Sequence, residues 1–486
     1  MNTPNQATSN RKNRIEQDAT HSAQFAPFAA KMRCAGLPEA AMRAFEYHYA
    51  QLLQGATGYI PGEEAHPVAD LPAAVDLNQY GADGKAALNR TVVIKLNGGL
   101  GTTMGMAGPK SLIEVKQGLT FLDIIVHQVL HMRQEHNVGL PLVLMNSFNT
   151  QDATKQALRA YPQWMQDVPT TFLQHKAPKI WQADLSPVEW PADPQKEWCP
   201  PGHGDIYLAL QSSGLLDQLL DRGYEFAFVS NSDNLAATVD VAILGYFAQQ
   251  TLPFLMEVAN RTPTDRKGGH LAMHPDKGLI LREVAQCPPA ELDEFQNIAR
   301  YRYFNTNNLW VHLPSIQQLL AQTDGLLKLP LIRNEKPVDP TQPDSPPVYQ
   351  LETAMGQAIA LFPDAQAIQT PRSRFLPVKN TNDLLALWSD VYVLHPDYTI
   401  DRNPVRRAEA DIVIELDETY YKRFDQLKER FPHGAPVLVH CDSLRVEGNV
   451  YFDADVELEG DVHIRHMGKE PLVYVATGQD AMAGQS

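Results

Sequence analysis

Three apolar runs punctuate the first half of the chain, each too short for a helix and each ending in polar or glycine-rich sequence. They are Val92-Val93-Ile94, the stretch PLVLMNS, and the segment from Phe226 to Val229. Between them, apolar positions recur at helical spacing. The stretch TFLDIIVHQVLHM puts Leu122, Ile125, Val126, Val129 and Leu130 on one stripe, behind a Thr120 suited to cap a helix. DATKQALRAY predicts a second helix, and Ala41, Phe45, Tyr49 and Leu52 predict another from Pro38 to Leu53. Strand, helix, strand is the rhythm of a parallel sheet in an α/β fold, whose ligands sit beyond the carboxyl ends of the strands.

The C-terminal part keeps a different period. Leu444, Val450, Val456 and Val462 recur every six residues, as do Val446, Phe452, Leu458 and Ile464, with Gly448, Ala454 and Gly460 in the turns. A six-residue repeat with small turn residues predicts a short parallel β-helix of structural or oligomeric role. Residues 1 to about 20 are polar and predict a tail. The proline-rich insert between Arg333 and Tyr349 predicts an exposed loop, and QLETAMGQAI a helix after it.

Composition narrows the chemistry. A chain of 486 residues exceeds one hydrophobic core, so two or three structural units are expected. A net charge of −16 argues against a nucleic-acid partner, and a phosphate-handling chain of this charge must gather its basic residues locally. Cys34, Cys199, Cys287 and Cys441 are widely spaced, which suits thiols in a reducing compartment better than disulfides or zinc. No apolar run reaches membrane length and no apolar leader opens the chain, so cytoplasmic residence is expected. His127 and His131 stand one helical turn apart, but no third ligand accompanies them.

The strongest chemical signal follows the first strand, in TVVIKLNGGLGTTMGMAGPKSLI. Gly98, Gly99, Gly101, Gly105 and Gly108 leave the backbone bare, so successive N–H groups can converge on an anion, and Lys110 closes the loop. Two familiar phosphate loops fail here. Pro109 separates Gly108 from Lys110 where a P-loop needs Gly-Lys, and from Gly99 the spacing is GxGxxxG where a dinucleotide loop needs GxGxxG. Further on, Asp233 follows the third strand, where a carboxylate could hold Mg²⁺ against nucleotide phosphates or simply cap the helix containing Val239 and Ile243. WCPPGHGDIYLAL sets Gly202, His203, Gly204 and Asp205 between two prolines and a new helix, whose start favours an anion.

KLNGGLGTTMGMAGPKSLI resembles the signature loop of the eukaryotic-type UTP–glucose-1-phosphate uridylyltransferases, a family within the UDP-sugar pyrophosphorylases. The resemblance extends from about residue 55 onward through ordered motifs, including PPGHGD and SNSDNLAATVD, where Ser232 and Ala236 depart from the family's SNIDNLGATVD. It implies a Rossmann-like, GT-A-like nucleotidyltransferase domain over 89–388, a mixed sheet flanked by helices. A segment over 1–88 would pack onto it, and 389–486 would carry a left-handed parallel β-helix.

The same resemblance implies the site. Leu96, Asn97, Gly98 and Gly99 would line the nucleotide, with Gln174 hydrogen-bonding uracil, Gly202 against the base and His203 toward the phosphates. Asp233 would hold Mg²⁺, flanked by Asn231 and Asn234. Lys110 and Lys379 would meet at one triphosphate, Lys110 at the α-phosphate and leaving group. Lys267 and Gly268 would steady the sugar phosphate, and Asn307 or Asn308 would contact the sugar, although asparagines there also suit turns. Arg266 and His270 depart from the family pattern, which leaves sugar selectivity open.

The implied reaction joins UTP and α-D-glucose 1-phosphate to give UDP-glucose and pyrophosphate, reversibly. The attacking sugar-phosphate oxygen is already anionic, so the chemistry needs positioning and charge stabilisation but no general base. Neither nucleic acid nor membrane is an expected partner, whereas a homo-oligomer through the β-helix is. The rivals are the same chemistry on N-acetylglucosamine or galactose 1-phosphate, and an inactive nucleotide-sugar-binding scaffold. Lys110, Asp233 and Lys379 together disfavour the scaffold, since a mere binder need not keep a metal ligand.

Overall fold

A computed structural model describes residues 22–106, 108–162, 164, 166–407 and 410–475; the tail expected at the N-terminus lies outside the described residues. The chain divides into two compact units, each discontinuous in sequence. The first takes the described residues up to Val92 with Val168–Val229 and Val241–Thr370. The second takes Val93–Asp167, Ser230–Asp240 and the described part of Pro371–Ser486. The architecture is mixed α/β, as the alternating pattern predicts.

In the first unit the long strand Tyr303–His312 pairs antiparallel with Phe254–Asn260, register Phe254 to Val311, and with the strand that starts at Phe226, register Phe228 to Trp310. Phe254–Asn260 also takes Gln366–Gln369 in parallel, so this sheet is mixed. Phe254, Leu255, Met256, Leu309 and Trp310 are fully buried, as residues of strands covered on both faces are.

Two helices cover another part of this unit. Glu39–Leu53 starts directly after Pro38, and its stripe of Ala41, Phe45, Tyr49 and Leu52 is buried as its spacing predicts. A helix over 22–34 precedes it without a clear signal in the sequence, because Pro27 interrupts a short stretch. Its Phe28 packs on Tyr49 with ring centroids 4.7 Å apart. Burying such a ring stabilises the pair by about 2–3 kcal/mol, enough to override the proline.

The proline-rich insert differs from expectation. Ile332–Pro337 and Pro347–Glu352 form an antiparallel hairpin whose second strand also pairs with Ile180–Trp181. Pro337 and Pro347 face each other at the turn end of the ladder, where no further N–H is required of them. The expected helix over QLETAMGQAI is the end of this strand followed by a 3₁₀ turn, Met355–Leu361.

The second unit contains the βαβ element. Val93–Asn97 run parallel to Leu142–Asn146 in register, joined through helix Phe121–His136. Thr120 caps that helix: its Oγ1 accepts the Asp123 N–H at 3.1 Å, while its own N–H donates to Asp123 Oδ2 at 2.8 Å. His127 stacks on Tyr398, and no group of three metal-ligating side chains occurs among the described residues. Toward the C-terminus, Val413–Leu416, Cys441–Glu447 and Gly460–Arg465 lie side by side in parallel, and Val450–Phe452 pairs in parallel with Leu472–Tyr474. The six-residue repeat stacks here, Leu444 beside Val462 and Val446 beside Ile464. No helix among the described residues is long and apolar enough to cross a membrane.

Candidate active site

In the second unit, the strand Thr91–Asn97 ends and the glycine loop folds back on itself. Gly101 N–H donates to Gly108 O at 3.3 Å and Lys110 N–H to Gly99 O at 3.1 Å. Gly105 sits at φ +70°, and a Cβ there would lie 2.9 Å from Arg423 Cγ, so the turn needs glycine on two counts. The closed loop delivers Lys110, whose Nζ donates to Asp233 Oδ2 at 2.7 Å. The two side chains are 14% and 23% exposed.

Asp233 is held from both sides. Its carbonyl accepts Val378 N–H at 3.2 Å, and the neighbouring Asn234 brackets the same segment: Nδ2 donates to Arg374 O and Oδ1 accepts Leu376 N–H. Pro377 forms an isolated antiparallel bridge with Asn234. Lys379 follows at once, exposed, its carbonyl accepting Thr103 Oγ1–H from the glycine loop at 3.1 Å. The structure thus gathers Lys110, Asp233 and the Lys379 segment within one unit.

A carboxylate oxygen stands ready beside this pair. Asp233 Oδ1 is buried and has no hydrogen-bond partner among the described residues, an arrangement that costs free energy unless something occupies it. Mg²⁺ is commonly held by one or two carboxylates together with substrate phosphates, and Asp233 suits that role. Beneath the turn lies Lys95, fully buried, whose Nζ donates to Ser230 Oγ at 2.7 Å and Ala237 O at 2.6 Å. Asp383 accepts the N–H groups of Lys379 and Asn380, and burial raises its pKa against their pull. Sequence reasoning missed both residues; a lysine inside an apolar strand was the available signal for Lys95.

Not every residue of the glycine-loop set faces outward. Asn97 is buried, and its amide N–H groups donate to Asn146 and Thr154, so they are not available to a ligand. Leu96 and Gly98 are partly exposed; their carbonyls accept Ser232 N–H and Ser147 Oγ–H, while Gly99 is exposed. Asn231 is partly exposed, and its carbonyl accepts Asn234 N–H.

The first unit collects the residues assigned to base and sugar, together with His203. Gly202 sits at φ +80°, and a Cβ there would come within 2.3 Å of Thr353 O. His203 accepts the Met355 N–H on Nδ1 at 2.9 Å, which fixes the proton on Nε2 and leaves that N–H to donate. Burial pushes its pKa down to about 4, so the ring is neutral at physiological pH. Gln174 is buried, and among the described residues its amide has no hydrogen-bond partner.

The sugar candidates separate. Asn308 is fully buried and donates to Glu257 Oε2 at 3.2 Å, while Trp310 Nε1–H donates to Glu257 Oε1 at 2.9 Å. Asn308 therefore serves the core, and sequence reasoning passed over Glu257 inside its apolar run. Asn307 is partly exposed at φ +58°, with Oδ1 accepting Asn305 Nδ2–H. Lys267 is exposed, and Gly268 beside it lies so close to Phe304 that a Cβ would fall 2.0 Å from the ring. His270 is wholly buried, stacked on Tyr301, and is no surface group for a sugar.

Known proteins share this arrangement of the chain. A family-level sequence model described as UTP–glucose-1-phosphate uridylyltransferase matches residues 42–459. The UTP–glucose-1-phosphate uridylyltransferase of Hordeum vulgare is 45% identical over 381 residues, which cover 78% of each chain. The structure of UDP-glucose phosphorylase from Trypanosoma brucei superposes with a TM-score of 0.85 at 44% identity, covering 93% of this chain and 97% of that one. A variant UDP-glucose pyrophosphorylase from Leishmania major, solved in complex with UDP-glucose, gives 0.86 at 43% identity over 94% and 99%.

Proposed function

Because the chain belongs to the UTP–glucose-1-phosphate uridylyltransferase family, we propose that its Lys110–Asp233 pair and Lys379 carry the charge of a uridylyl transfer. The enzyme converts UTP and α-D-glucose 1-phosphate into UDP-glucose and pyrophosphate. In the proposed mechanism a sugar-phosphate oxygen attacks the α-phosphorus in line, a P–O bond forms there, and the bond to the β-phosphate breaks to release pyrophosphate.

One observation carries this reading: Asp233 keeps one oxygen on Lys110 and the other buried and, among the described residues, unpaired. When bound there with the nucleotide, Mg²⁺ would neutralise phosphate charge. Lys110 would turn from the carboxylate to the α-phosphate and the departing oxygen when the nucleotide binds. Lys379, whose ammonium makes no hydrogen bond among the described residues, supplies a second positive charge from the segment that Asn234 fixes. Both cations gain most when charge builds on the leaving group, so they act on the transition state.

The recognition roles proposed for Gln174 and Gly202 (base side), for His203 (toward the phosphates) and for Lys267, Gly268 and Asn307 (sugar side) rest on family resemblance. A left-handed β-helix at the C-terminus is supported by its parallel strands and stacked repeat, and self-association through it is a further proposal. Cytoplasmic residence is supported by Cys34, Cys199, Cys287 and Cys441 all being free thiols.

The test is pyrophosphate release by the purified chain with Mg²⁺, crossing UTP, TTP, ATP and GTP with glucose, galactose and N-acetylglucosamine 1-phosphates. Release confined to UTP with glucose 1-phosphate is the expected result. Release with another sugar would move the substrate, and no release with any pair would sink the reading.

A further inference from the structure

We propose that His175 and Asp205 are positioning residues for uracil recognition, a carboxylate–imidazole clasp that joins the two segments carrying Gln174 and Gly202–His203. The proposal rests on the reading of Gln174 and Gly202 as the base-recognition pair.

The clasp is doubly bonded. Asp205 Oδ2 accepts the His175 backbone N–H at 2.7 Å, and Oδ1 accepts Nδ1–H of the same residue at 2.8 Å. Both side chains are buried. A carboxylate only accepts, so Nδ1 carries a proton, and Nε2 pairs with Ser212 Oγ at 2.9 Å. Every polar atom of the imidazole is thereby satisfied.

Gln174 stands immediately before this histidine, and its own amide touches no protein partner among the described residues. Nothing on its side chain aims it, so its aim comes from the backbone, and the backbone at His175 is pinned by Asp205. Asp205 in turn ends the 3₁₀ turn His203–Asp205, whose Gly204 N–H donates to Thr353 O at 2.9 Å and whose His203 is held by Met355. A single carboxylate therefore sets the position of both segments together.

Ser212, His175 and Asp205 have the spacing of a hydrolytic triad, but the geometry points elsewhere. Ser212 is the last residue of helix Ile206–Ser212, where free carbonyls gather and N–H groups are already bonded, so no oxyanion donors surround its hydroxyl. What remains is orientation. An amide held in place pairs well with uracil; a mis-aimed one loses that pairing while losing nothing toward bases it never paired with. The clasp thus contributes to uracil selectivity.

Steady-state kinetics on the full chain test this, with UTP and with CTP at saturating glucose 1-phosphate. His175→Leu should raise KM for UTP about tenfold and cut the UTP-over-CTP ratio of kcat/KM by a similar factor, with kcat changed less than about twofold. KM for glucose 1-phosphate should not move. His175→Asn, whose amide N–H can replace Nδ1–H toward Asp205, should restore most of the loss. Wild-type values in His175→Leu overturn the proposal, as does a uniform fall in kcat with every substrate alongside a lower Tm. If the leucine variant does not fold, Ser212→Ala removes only the Nε2 bond and must still raise KM for UTP about twofold; no change overturns the clasp. Absence of UTP-dependent turnover in the wild type would instead remove the reading on which it rests.

Discussion

The ion pair of the second unit and the loop cluster of the first treat polarity in opposite ways. Lys110 and Asp233 form an ion pair, are both partly exposed, and are incompletely satisfied, since one carboxylate oxygen has no partner among the described residues. His203 and His175 are buried or nearly so, and each is bonded to a fixed backbone or side-chain partner. The first arrangement can exchange partners when phosphates arrive. The second cannot rearrange without breaking several bonds. Charge that must respond to a reaction is left loose, whereas groups that must discriminate are locked.

Removing the loose charge should give the largest effect. Lys110→Ala is expected to lower kcat by about 10²–10³ while changing KM for UTP far less, because the stabilisation is realised on the leaving group. A rise in KM with kcat intact would reverse the contrast and make Lys110 a ground-state binder. Fold should survive, since the lysine lies at a loop end and its loss leaves Asp233 only partly exposed.

The locked side is best broken at Gly202. Alanine there must hold φ +80° and place its Cβ 2.3 Å from Thr353 O, a backbone atom that cannot swing aside. Gly202→Ala should cost about 1–3 kcal/mol of stability, seen as a lower Tm, and raise KM for UTP about tenfold with kcat within a fewfold. A kcat collapse with unchanged KM would show that this loop serves the chemistry and would erase the distinction between the units.

Much of the loose side was legible beforehand because glycines, a lysine and a strand-end aspartate are local signals. Gly105 and Lys110 sit where a closed loop needs them, and the parallel pairing of Val93–Asn97 follows from the apolar runs. The locked side was less so. Asn97, Asn234 and Asn308 resemble ligand amides in sequence, yet each holds core or backbone partners that lie about 50 to 140 residues away along the chain. His175 and Asp205 are separated by the strands and turns between them, and no spacing rule joins them. The proline-rich hairpin was obscured for the same reason: its prolines are harmless only in the register the partner strand supplies.

The smallest predicted effect concerns acid. Burial lowers the pKa of His203 to about 4 and pushes His48 and His270 down as well, all three in the first unit. A histidine titrating below its unfolded value near 6.5 takes up its proton later in the native state than in the unfolded one. Its contribution is therefore complete above pH 6.5 and is lost as pH falls toward the folded value. Each such group can tilt stability by at most about 1.4 kcal/mol per pH unit. Glu352 in the same unit, raised by burial, opposes them with a single group. In the second unit the raised Asp383 has the opposite sign: its native form binds a proton more readily, so acid relieves it. Amide exchange at pH 7.5 and pH 5.5, scaled for intrinsic rates, should then show protection falling in the first unit and holding in the second. His203→Gln should flatten the decline in Tm over that interval. Equal loss of protection in both units, or a Tm that does not fall, would mean that the neutral histidines are not what separates the two halves in acid.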